Sequence, residues 1–212
     1  MNSELALKRE SSEEFLNTLS HTIGFFLGIA GLIFLLVRSE DPVRSIAFLI
    51  YGSTQILLYL SSAATHMFSN RPDVHKVIRV FDQSAIYLFI AGTFTPVALI
   101  ILPEPYRTRM LVLVWVLAFL GVIMKSVFIQ KKHILSDLLY LPMGWMVVFF
   151  LKPLIEYAPK GFFLSLIGGA VFYTLGIVFY ITKKVPYSHF IWHLFVIAGS
   201  LSFYLGFVTT LL

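Results

Sequence analysis

The sequence predicts an all-α protein, a seven-transmembrane helix bundle, on three observations. Hydrophobic residues make up 58% of the chain and charged ones only 13%, a balance outside that of soluble domains. The apolar residues gather in runs that approach or exceed the roughly 20 residues a helix needs to cross a hydrocarbon core of about 30 Å. Charge and proline concentrate between the runs, as RSEDPVR, RPDVHKVIR, LPEPYRTR, QKK, KPLIEYAPK and TKKVP.

The elements follow in order. Residues 1–14 read as a short cytoplasmic segment and 15–212 as one transmembrane domain, without internal repeats or low-complexity tracts. The first span, 15–37, is long and lacks a small-x-small cleavage pattern, so it reads as a retained helix rather than a signal peptide. The second, 45–70, follows RSEDPVR, and the third, 80–103, closes at LPEPYRTR. The fourth, 110–130, carries Lys125 near its end; in the fifth, 133–151, Asp137 leaves only 138–151 uncharged. The sixth covers 161–182 and the seventh 185–212, where no acidic or basic side chain occurs. Short loops make neighbouring helices antiparallel.

Orientation follows from the Lys and Arg in alternate loops. With the N-terminus in the cytoplasm the inside set is Lys8, Arg9, Arg71, Lys76, Arg79, Lys125, Lys131, Lys132, Lys183 and Lys184. Arg38, Arg44, Arg107, Arg109, Lys152 and Lys160 fall outside, a score of 10 to 6 for N-terminus in and C-terminus out. The net charge of +5 therefore anchors helices, and no nucleic-acid partner is expected. Without cysteine, any metal must be held by nitrogen and oxygen.

That orientation puts all six histidines on one membrane face. His66 lies near the cytoplasmic end of the second span, Asp82 about one turn inside the third, and His189 and His193 at a similar depth in the seventh. A charge or imidazole within a membrane helix costs roughly 2.5–3.5 kcal/mol on insertion scales, so such groups need partners or a wet cavity. Residues four apart share a helix face, which lets His189 and His193 point into one cleft; Ser62 and His66 repeat the spacing. Three imidazoles from two helices favour Zn²⁺, held tetrahedrally with water in the fourth position. Asp82 is then placed to act as general base or to orient that water, and Ser62 to hydrogen-bond it or a developing oxyanion. A lone intramembrane histidine more often hydrogen-bonds a neighbouring helix; the coincidence of SxxxH, the aspartate and HxxxH at one depth is what favours metal.

The remaining polar groups take simpler readings. His75 and His133 read as solvated loop residues. Glu14, Asn17 and His21 recur at helical spacing and read as an interhelical hydrogen-bonding stripe in preference to a second metal site. Asp137 pairs with Lys131 or Lys132, or supports the site from behind. Gln55 and Thr93, each 11 residues outward from His66 and Asp82, either extend a polar cavity or make interhelical hydrogen bonds.

Together, ExxNxxSH at Glu14 to His21, SxxxH at Ser62 to His66, the aspartate of DQSAIY and the terminal HxxxH resemble the hemolysin III branch of the progestin and adipoQ receptor family. The resemblance spans nearly the whole chain. It implies seven helices with an intramembrane zinc near the cytoplasmic face, bound by His66, His189 and His193, with Asp82 and Ser62 around its water. Adiponectin receptors and, more distantly, alkaline ceramidases are relatives, which implies zinc-dependent hydrolysis of a lipid amide. Bacterial members are linked to membrane homeostasis. The chain differs from the receptors in its short N-terminal segment, so adaptor binding and hormone signalling are not expected.

These readings lead to an integral multi-pass protein of a bacterial cell (inner) membrane, with a membrane lipid as substrate or ligand and no predicted protein partner. Two alternatives stand beside hydrolysis. One is a noncatalytic sensor in which zinc ties the second span to the seventh; the other is an oligomeric pore-forming hemolysin. A monomeric channel is disfavoured because Ser165, Thr174, Ser200, Ser202, Thr209 and Thr210 supply little polar lining.

Overall fold

The computed structural model describes residues 2–128, 139–182 and 185–212. Within them the chain is all-helical, and six helices are long and apolar enough to cross a membrane. Helix α1 spans Asn2–Arg38, α2 Pro42–Met67, α3 Pro72–Pro96, α4 Tyr106–Phe128, α5 Tyr140–Gly144, α6 Leu151–Tyr157, α7 Lys160–Ile181 and α8 Ser188–Thr210. The expected spans one to four, six and seven thus coincide with α1 to α4, α7 and α8. Residues 2–14 are helical and continuous with the first span.

Local chemistry explains where these helices begin and change. The Asp41 side chain caps α2 by accepting from the Arg44 N–H at 2.9 Å, with Pro42 at the first position, where its missing N–H costs nothing. Pro72 opens α3 in the same way. At the other end of α3, Pro96 has no N–H for the carbonyl one turn back, and the chain widens into a π-helical turn, Val97–Ile101.

The expected fifth span begins outside the described residues, and Asp137 and His133 lie there too. Its described part is an interrupted run: α5, a 3₁₀ segment Trp145–Phe150, then α6. Gly144 weakens the helix, and Pro153 cannot donate to the Phe149 carbonyl, so the hydrogen-bond ladder is reset between Phe149 and Pro153. The run still passes from one end of the bundle to the other. The Tyr140 hydroxyl donates to the Gln83 carbonyl at 3.0 Å, beside Asp82, whereas Phe162 just beyond the run packs on Phe207, ring centres 5.9 Å apart, at the end of α8.

Packing is tightest between α7 and α8, between α1 and α2 and between α2 and α3. Glycines let α7 and α8 approach: a Cβ on Gly176 would stand 2.7 Å from Phe195 Cβ, and one on Gly199 2.7 Å from the Tyr173 ring. The outward faces carry large apolar side chains such as Phe15, Phe26, Phe119 and Leu164, as a surface in contact with lipid requires. Buried Asn17, Ser20 and His21 of α1, Ser62 and Thr65 of α2 and His193 of α8 meet at one end of the bundle, while Gln55, Thr93, Thr95 and Ser200 are buried further along it.

Candidate metal centre

Two helices bring the three histidines together. His66 sits in the last turn of α2, and His189 and His193 occupy successive turns at the start of α8, which runs back from the same end. One ring nitrogen from each lies within 4.8 Å of the other two. Ring centres are 4.9 Å apart for His66–His189, 4.9 Å for His66–His193 and 4.8 Å for His189–His193.

The ring environments fit a cation. Nδ1 of His66 lies 2.8 Å from Glu14 Oε2, so we assign the proton to Nδ1. That leaves the Nε2 lone pair of His66, which is buried with no hydrogen-bond partner. Nδ1 of His193 lies 3.4 Å from Ser20 Oγ, whose own hydrogen is given to the Asn17 carbonyl at 3.0 Å. The hydroxyl is therefore an acceptor toward His193, which frees the other ring nitrogen as well. A histidine held through one nitrogen by a carboxylate or hydroxyl, with the other exposed to its fellows, is the arrangement that orients a metal ligand. Three neutral nitrogens without thiolate suit Zn²⁺ or a similar borderline ion.

Helix α1 supplies most of this support, and here sequence reasoning fell short. The stripe Glu14, Asn17, His21 does face neighbouring helices, but its targets are the histidines themselves. Glu14 accepts from Nδ1 of His66, and the Asn17 side-chain amide packs beside the same nitrogen at 3.4 Å. His21, 3% exposed, stacks on His193 with ring centres 3.7 Å apart. Glu13 Oε1 accepts the His189 backbone N–H at 3.1 Å, occupying a donor at the start of α8. The spacing signalled the stripe. Nothing in the sequence signalled Glu13 or Ser20, because a backbone N–H and a ring on a helix some 170 residues later leave no local pattern.

Asp82 and Ser62 line the same cavity as the three histidines. The cavity encloses about 520 Å³ and continues from this polar end between apolar side chains, including Phe89, Phe94, Leu166 and Phe203. Thr93 lines it, in keeping with a cavity that extends outward from the histidines, whereas Gln55 is buried on α2 between Tyr51 and Tyr59, one turn to either side, and is not among the lining residues. His75 stands in the first turn of α3 and also lines the cavity.

Comparison with known proteins agrees with this architecture. The model of the Haemolysin-III related family matches residues 9–204. Hemolysin-3 of Bacillus cereus is 39% identical over 191 residues, covering 89% of this chain and 87% of the relative. A Hemolysin-3 homolog of Bacillus subtilis (strain 168) is 38% identical, covering 89% of each. The human monocyte to macrophage differentiation factor is 26% identical over 87% of this chain and 78% of its own. The chain belongs to the Haemolysin-III related family and is an integral, multi-pass membrane protein.

Proposed function

We propose that this Haemolysin-III related protein is a zinc-dependent hydrolase of a lipid amide that serves membrane homeostasis in a bacterial cell membrane. The reading is carried by one observation: three imidazoles with nitrogens mutually within 4.8 Å stand on the wall of a cavity that also holds a carboxylate and runs on between apolar side chains. Seven crossings with the N-terminus inside, as the Lys and Arg distribution favours, put this end near the cytoplasmic face.

His66, His189 and His193 would hold the ion, which when bound supplies Lewis acidity toward an acyl carbonyl and toward water. The apolar part of the cavity takes the acyl chain and keeps bulk water from it. Asp82 accepts a proton from the attacking water as the water oxygen bonds to the acyl carbon. The C–N bond then breaks, and that proton passes to the departing nitrogen, giving a fatty acid and an amine. Ser62 orients the Asp82 carboxylate or donates to the developing oxyanion.

A second reading treats the metal as a structural tie in a noncatalytic sensor. It is favoured by the bonds from Glu13 and Glu14, which already join α1 to both ligand-bearing helices. Metal content of the purified protein beside His66→Ala and His193→Ala tests the site common to both readings. Stoichiometric zinc in the parent and loss in both variants is expected; full zinc in both variants removes the site. Turnover of a long-chain amide by the zinc-loaded parent then selects the hydrolase over the tie.

A further inference from the structure

We infer that the polar end of the cavity is an anion subsite, so that the lipid it takes carries a carboxylate or phosphate on its head group. The inference rests on the lipid reading above and specifies the substrate class. Helix α3 forms one wall of the cavity and lines it in order with His75, Arg79, Asp82, Ile86, Ile90 and Thr93. At 1.5 Å per residue, Arg79 stands about 4.5 Å from Asp82 toward the start of the helix, while Phe94 stands about 18 Å the other way. With the acyl chain along the apolar part and the scissile bond at Asp82, the head group comes to Arg79.

Glu13 and Glu14 at that end are engaged by His189 and His66. Asp82 is the only acidic side chain among the described lining residues, and Arg79 lines the same wall one turn away. Arg79 is half-buried and forms no ion pair among the described residues. Removing a guanidinium from water is costly unless an anion meets it, and its planar fork matches carboxylate or phosphate through two parallel hydrogen bonds. A neutral head would leave that fork unmatched. Anchoring the helix at the membrane surface needs only the charge of Arg79, whereas selecting a head group also uses its geometry.

The test is equilibrium binding of N-oleoylglycine and N-oleoylethanolamine to the purified full-length chain, read by the fluorescence of Trp145 and Trp192, which line the cavity. Metal content is checked in each sample. The glycine conjugate is expected to bind about tenfold more tightly, the scale of a hydrogen bond to a charged group. Arg79→Gln should bind the two alike, with the ethanolamide unaffected. Equal affinity in the parent, or a preference that survives in Arg79→Gln, overturns the subsite while leaving a lipid-binding cavity. Should Arg79→Gln fail to fold, Arg79→Lys must narrow the preference, and an unchanged preference there overturns it equally. Displacement by free glycine or inorganic phosphate alone would make this a site for a soluble anion and refute the lipid head group. Absence of binding by either amide overturns the lipid reading together with this inference.

Discussion

The Glu14 carboxylate of α1 and the His66 imidazole of α2 stand 2.8 Å apart, a hydrogen bond between residues 52 positions apart in the chain. It fixes which nitrogen of His66 carries the proton and therefore which one faces His189 and His193. Removing it frees the ring to rotate and to exchange tautomers. Glu14→Ala is expected to weaken zinc binding by about 10–100-fold, with Glu14→Gln, whose amide oxygen still accepts, losing less. Competition against a chelator of known affinity measures this, and an unchanged zinc affinity in Glu14→Ala would show that the bond does not position the ring.

Asp82 is assigned a proton-transfer role without a place among the metal ligands. Asp82→Asn keeps the shape of the side chain but has no basic carboxylate. It should retain zinc and thermal stability while hydrolysis of a long-chain amide falls by about 10²–10⁴-fold. If it hydrolyses as fast as the parent, another group takes the proton.

Metal and fold are linked because the histidines lie on two helices. An ion that binds only the folded state stabilises it by RT ln(1 + [L]/Kd), about 2.7 kcal/mol at a hundredfold excess over Kd. A chelator should therefore lower the unfolding temperature in detergent. Zn²⁺ should restore it and Mg²⁺ should not, since Mg²⁺ prefers oxygen ligands and retains its water. Recovery with Mg²⁺ alone would contradict the nitrogen-ligand assignment.

At Gly176, α7 packs directly on Trp192 and Phe195 of α8. A Cβ there would meet Phe195 Cβ at 2.7 Å, an atom fixed to the backbone that cannot swing aside, and the Trp192 ring next to His193. Gly176→Ala should cost about 1–3 kcal/mol as the helices are forced apart. Thermal denaturation and zinc affinity, measured together, should both decline. A variant as stable as the parent would mean that the interface repacks freely.

The two halves of the site differed in how far they could be read in advance. Ser62 with His66, and His189 with His193, announce shared faces because a helix repeats every 3.6 residues and both members of each pair lie in one segment. The depth of Asp82 followed from counting inward from the nearest charged loop. His21 shows where this stops. Its spacing from Glu14 and Asn17 marked a face that needed polar partners, but the ring it stacks on, His193, lies on the last helix. The interruption in the run after Tyr140 was likewise only partly visible, since Gly144 and Pro153 mark weak points without stating whether neighbours hold the segment together.

By itself, then, the sequence determined that the chain is a bundle of membrane helices and which residues each helix offers inward. Both follow from local physics, the hydrocarbon thickness and the helical repeat. Only the tertiary structure decided that α1 lays Glu13, Glu14 and Ser20 against residues bearing the three histidines, and that Arg79, Asp82 and an apolar channel share one wall. Those relations depend on how side chains far apart in the chain interdigitate, and no repeat along a single helix encodes which neighbour its face will meet.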